Sequence, residues 1–111
     1  MRAAVIHAHG GRDQIKIVDD YPKPMPPPGW VRLRVRATSL NFHDVFSRRG
    51  MPGIKIPLPL IIGTDIAGEI DMLGDGVTGW QTGTRVLVDP MPCEGTQWRF
   101  IGEQFDGGRA E

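Results

Sequence analysis

Apolar and polar positions alternate without a break in Val31-Arg32-Leu33-Arg34-Val35-Arg36-Ala37. A period of two puts Val31, Leu33 and Val35 on one face and the three arginines on the other, which predicts a strand over 31–37. Weaker β patterns lie at 1–7, at 14–18 with Ile15 and Ile17 alternating, at 60–62, 66–73 and 84–88, and finally at 98–101. Residues 41–49 break the pattern and predict a short helix. Asn41 suits its N-cap and Asp44 the third helical position of a capping box. Asp44 near the start and Arg48-Arg49 near the end match the helix dipole, and Gly50 stops it. Phe42, Val45 and Phe46 give this helix an apolar side. Prolines 22, 24, 26, 27 and 28 withhold too many N–H groups for a sheet and predict an extended surface connection. The sum is a mainly β chain of about seven short strands and one or two short helices, arranged as a small, partly open barrel.

Composition supports that reading and narrows the function. Fifteen glycines and ten prolines in 111 residues indicate many turns in a single domain, 1–111. Thirteen basic residues balance thirteen acidic ones, so nothing here favours nucleic acid as a partner. Charge is unevenly placed: residues 1–36 carry seven Lys/Arg and three Asp/Glu, and the remainder six and ten. The lone Cys93 cannot form an internal disulfide or a cysteine cage for zinc. No apolar stretch reaches 18 residues, and the start lacks a secretory pattern, so no membrane partner and a cytoplasmic location are expected. The end, Arg109-Ala110-Glu111, reads as a place where another strand would begin, which suggests part of a longer chain.

Candidate chemistry is sparse. Gly74-Asp75-Gly76-Val77-Thr78-Gly79 satisfies GxGxxG but is followed by a β-type segment, which predicts a turn and no nucleotide-binding Rossmann unit. Ser39, His43 and Asp44 contain the residue types of a nucleophilic triad, without a nucleophile elbow. His43 and Asp44, adjacent on a helix, point roughly 100° apart. Asp44 and Asp65 could act as paired carboxylates only if the fold joined them. The three arginines of 31–37 form a solvated face or an anion grip.

The ordered set MRAAVIH, VRLRVRATSLNFHD, IPLPLIIGTDIAGEI, LGDGVTGWQTGTRVLV and FDGGRAE resembles the N-terminal, GroES-like catalytic domain of the medium-chain dehydrogenase/reductase superfamily. Zinc-dependent members of that superfamily hold a cysteine ligand at the place of Asn41. They also carry a Gly-His-Glu signature where this chain has Gly63-Thr64-Asp65. The resemblance therefore implies no catalytic zinc, and Cys93 alone in place of a four-cysteine lobe implies no structural zinc. It points to the zinc-independent quinone oxidoreductases and enoyl reductases, in which NADPH delivers a hydride to a conjugated carbonyl or quinone.

By that resemblance Asn41 lies near nicotinamide and substrate, with Asp44, Thr64 and Asp65 lining the cleft. His43 stands where zinc enzymes keep a relay hydroxyl and is a candidate proton donor. The cofactor, NADP, would be held by a nucleotide-binding domain in the parent chain or in a separate subunit, and the chain alone would be inactive. A homo-oligomer is compatible with this. The alternatives are a non-enzymatic GroES-like co-chaperonin, which would carry a long mobile loop at 41–50, or a remnant serving as an interaction module.

Overall fold

The computed structural model describes residues 1–91, 93–94, 97–108 and 110, with the backbone alone for 93–94 and 97–98. Two three-stranded antiparallel sheets form the body. The first has the order β2-β1-β4, from β1 (Ala3–Ile6), β2 (Ile15–Val18) and β4 (Leu60–Ile61). Its register sets Ile6 opposite both Ile15 and Leu60, and Val5 opposite Ile61. Side chains of β1 and β4 are buried on both faces. Ile6 packs with Ile56, Leu60 and Ile62, while Ala3 and Val5 pack with Ile61 on the other side. Double-sided burial explains why Leu60-Ile61-Ile62 is a continuous apolar run with no alternation.

The second sheet has the order β3-β5-β6, from β3 (Val31–Ala37), β5 (Ala67–Leu73) and β6 (Arg85–Leu87). It is twice shifted in register between β3 and β5. The arginine face of β3 lies over acidic residues of β5. Arg32 Nε is 2.7 Å from Asp71 Oδ2, Arg34 Nη2 is 3.4 Å from Asp71 Oδ1, and Arg36 Nη2 is 3.0 Å from Glu69 Oε2. Each guanidinium thus already has a carboxylate, which makes this face an ion-paired ladder and leaves no open anion grip. These pairs hold the Asp71 and Glu69 carboxyls below the usual carboxylate range, chiefly through the hydrogen bonds from Arg32 and Arg36.

A small hairpin, β7 (Cys93–Glu94) with β8 (Gln97–Trp98), completes the strands. The side chain of Cys93 lies outside the described residues. The strand expected at 98–101 ends at Trp98, and Ile101 makes only an isolated bridge with Phe105. Among the described residues no ladder joins the two sheets, so the barrel is open and the fold is mainly β with a single α-helix, α1 (Phe42–Arg49).

Gly74-Asp75-Gly76 is a turn. Gly74 N–H donates to Trp30 O at 2.9 Å and Gly29 N–H to Asp75 O at 2.8 Å, sealing the turn onto the proline connection. Among the described residues no helix follows it.

Helix α1 starts at Asn41, whose backbone is extended, and stops at Gly50, whose φ of 84° an L side chain would resist. Its apolar side turns outward: Phe42 is 81% exposed and Phe46 is 49% exposed, their rings 6.5 Å apart. The inward side consists of Asp44, Ser47 and Arg48. Arg48 fastens the helix to the β1–β2 connection, its Nη1 donating to Gly10 O while Gly10 N–H donates to Arg48 O at 3.0 Å.

Candidate functional site

The first turn of α1 meets the Gly63-Thr64-Asp65 turn through one buried carboxylate. Asp44 Oδ2 accepts the Asn41 N–H at 3.1 Å, the carboxylate half of a capping box. Asp44 Oδ1 accepts the Thr64 N–H at 3.2 Å and the Thr64 hydroxyl at 3.0 Å. Asp44 and Thr64 are 5% and 6% exposed. A buried carboxylate must have its acceptor oxygens satisfied, and this one accepts at least three hydrogen bonds. Asp44 therefore caps the helix and locks it to the turn after β4.

Asp65, the next residue, takes hydrogen bonds from Ser39 Oγ and from the Asn41 side chain. They hold its carboxyl below the usual range, the Ser39 bond contributing most. Thr38, Ser39, Asp65, Ile66, Leu87 and Val88 line an open groove of about 420 Å³ beside it. Asn41 thus lies between two carboxylates, its N–H on Asp44 and its amide on Asp65. No nucleophilic triad assembles, since the Ser39 hydroxyl is donated to Asp65 and His43 finds a different partner.

That partner is Glu103, a residue the sequence does not single out. His43 Nε2 lies 2.8 Å from Glu103 Oε2, with the oxygen off the ideal N–H direction, and the His43 ring stacks on Phe100 at 5.0 Å between centroids. The Glu103 side chain is 4% exposed and that of His43 is 27% exposed. Glu103 Oε1 accepts from Gln104 Nε2.

Close backbone approach brings this distant segment to the helix. Gly107 N–H donates to Ile61 O at 2.7 Å, Gly108 N–H donates to Gly63 O at 2.9 Å, and Ile61 N–H donates to Asp106 Oδ1 at 2.9 Å. A Cβ on Gly107 would lie 2.3 Å from Gly63 O, so only glycine permits the approach. Gly107-Gly108, legible in the sequence as a turn, is in fact a contact surface. No local pattern in the sequence marks Glu103.

Asn41, Asp44, Thr64 and Asp65 are joined by hydrogen bonds, and His43 adjoins them on the same helical turn but engages the 100–105 segment. As a zinc site the donor set is poor. Asn41 offers an amide and Thr64 a hydroxyl whose proton is given to Asp44, and no group of three or more His, Cys, Asp or Glu side chains converges among the described residues. No helix there is long and apolar enough to cross a membrane.

Residues 27–111 match the family described as alcohol dehydrogenase GroES-like domain. The chain is 39% identical over 89 residues to the synaptic vesicle membrane protein VAT-1 homolog of Rattus norvegicus, which covers 79% of this chain and 22% of that protein. It is 38% identical over 88 residues to the 2-haloacrylate reductase of a Burkholderia species, covering 78% and 26%.

Among solved structures, the cobalt- and zinc-bound thermostable alcohol dehydrogenase of Pyrobaculum aerophilum superposes with a TM-score of 0.86 at 31% identity, covering 97% of this chain and 36% of that one. A mycobacterial protein complexed with NADPH superposes at 0.69 and 31%, covering 78% and 27%. The chain belongs to the alcohol dehydrogenase GroES-like family, the N-terminal domain of the medium-chain dehydrogenase/reductase oxidoreductases. It spans about a quarter of the length of the curated relatives it matches.

Proposed function

We propose that this chain is the substrate-side domain of a zinc-independent, NADPH-dependent reductase acting on a conjugated carbonyl or quinone. It would work in the cytoplasm and be inactive until paired with a nucleotide-binding half. The observation carrying this reading is the hydrogen-bonded set Asn41–Asp65 and Asp44–Thr64, which fills the metal positions of the zinc enzymes with an amide and a committed hydroxyl. A zinc-bound relative of similar fold has been solved, so what sets this chain apart is the donor chemistry at these positions and not the fold.

NADPH would supply the hydride. This chain's residues would do the rest. Asp44 sets the helix start, Asn41 presents its backbone and amide at the rim, and Thr64 with Asp65 walls the cleft. His43 would deliver the proton that completes reduction. The exposed Leu40, Phe42 and Phe46 are 80%, 81% and 49% exposed, an apolar surface beside the site that suits burial against the nucleotide-binding half. The helical form of 42–49 speaks against the co-chaperonin alternative, whose segment there would be a mobile loop. A homo-oligomer remains compatible with the same surface.

The test joins the chain to its nucleotide-binding half and follows NADPH consumption with an enone and a para-quinone. Turnover in protein stripped with chelator, with less than one-tenth zinc per chain by elemental analysis, is expected. Activity that disappears with chelation and returns with zinc would sink the zinc-free reading. An unchanged rate across pH in His43→Ala would remove the proton-donor role.

A further inference from the structure

His43 has two ring nitrogens and the structure treats them differently. Nε2 is shut away from solvent against Glu103 Oε2 at 2.8 Å, although the side chain as a whole is 27% exposed. A bare nitrogen lone pair this close to a carboxylate oxygen is repelled by it, even with the oxygen off the ring N–H axis. A carboxylate is the stronger acceptor, so the proton belongs on Nε2. Phe100 covers one ring face at 5.0 Å, which fixes the plane of the ring as the carboxylate fixes its edge. Asp44, the adjacent carboxylate on α1, is committed to Asn41 and Thr64 and does not compete.

The segment that carries Glu103 is itself held in place. Glu103 N–H and Gln104 N–H both donate to Phe100 O, at 3.3 and 2.9 Å, closing a tight turn. Gln104 holds the second carboxylate oxygen. Gly102, at φ 79°, lies so near the Gly63 backbone that an added Cβ would come within 3.0 Å of it.

We propose that Glu103 is a positioning residue that holds His43 as its Nε2–H tautomer, so that Nδ1 is the nitrogen that exchanges protons. This rests on the reading of His43 as the proton donor and names the atom and the support it uses. In the step, the Nδ1–H bond of the doubly protonated ring breaks and its proton passes to the anion left after hydride addition. The ring relaxes to the neutral Nε2–H form, and solvent returns a proton to Nδ1. Glu103 exchanges no proton in this step. The arrangement is the one by which a carboxylate behind a histidine sets which nitrogen reacts.

The test uses the ¹⁵N-labelled chain and long-range ¹H–¹⁵N correlation of the neutral His43 ring, which distinguishes a protonated from an unprotonated ring nitrogen. A carboxylate 2.8 Å from Nε2 predicts the Nε2–H tautomer in at least about tenfold excess. In Glu103→Leu the excess should fall to about threefold or less, and in Glu103→Gln, whose amide oxygen still accepts, most of it should return. A dominant Nδ1–H tautomer in the unaltered chain overturns the proposal, as does an excess unchanged in Glu103→Leu. Should the leucine variant fail to fold, the unaltered chain still decides through which nitrogen carries the proton. Turnover separates the two claims. An Nε2–H excess together with an unaffected His43→Ala rate leaves Glu103 as the positioning group while removing catalysis from His43.

Discussion

Strand β3 and helix α1 both carry charged residues at regular spacing, and the fold uses them in opposite ways. On β3 the arginines stay at or near the surface, paired to Asp71 and Glu69 across the sheet, where water screens both partners. On α1 the polar side is the buried side, with Asp44, Ser47 and Arg48 inside while Phe42 and Phe46 face out. The same residue classes thus supply little stability in one element and a structural joint in the other. What separates them is access to water: a charge withdrawn from solvent must have its partners, and once it has them their removal is costly.

The sharpest way to break the comparison is at Asp44. Asp44→Ala leaves the Asn41 N–H and both Thr64 donors without their acceptor, and the expected loss is about 3 kcal/mol in urea unfolding. A loss below about 1 kcal/mol would mean that the helix is fastened elsewhere, with Arg48 the first place to look. Next comes Gly107→Ala, where the new methyl meets Gly63 O. Overpacking of this kind costs about 2 kcal/mol, and the His43–Glu103 contact should loosen with it, visible as changed ring resonances of His43.

Thr64→Val removes one of the three hydrogen bonds to Asp44 and keeps the backbone one, so about 1 kcal/mol is expected by the same measurement. Ser39→Ala tests Asp65 through pH. Its carboxyl is held below the ordinary range in the folded chain, so the associated stability is present above the unfolded carboxyl's pKa and is lost as pH falls through the folded one. The gap in unfolding free energy between the unaltered chain and Ser39→Ala should therefore be open at pH 7 and close on acidification. A gap that widens in acid would contradict the assignment. The smallest effect belongs to β3: Arg36→Ala should cost no more than about 0.5 kcal/mol, and less at high salt. A loss as large as that of Asp44→Ala would erase the contrast between the two elements.

Much of the frame was legible beforehand. Strand 31–37, the helix with its Asn41 cap and Gly50 stop, the proline connection and the turn at Gly74-Asp75-Gly76 follow from local rules acting over a few residues. The ion-paired fate of the β3 arginines was not, because strand register places Asp71 and Glu69 opposite them across more than thirty residues. The outward turn of Phe42 and Phe46 was hidden for a related reason. An apolar stripe reports that a face avoids water, without reporting whether this chain or another surface covers it.

Glu103 was the largest omission. Sixty residues from His43, in a segment with no periodic signal, it reaches the ring only because glycines let two backbones come together. The sequence alone determined most of the strand segments, though not β7 or the end of β8, and where the α-helix of the described residues begins and ends, since caps and alternation are local properties; the metal positions came from the resemblance to the family. Only the tertiary structure decided that Asn41 stands between Asp44 and Asp65 and that His43 has a buried carboxylate behind it. Those contacts depend on how far apart in the chain two backbones are brought together, and no local pattern encodes that distance.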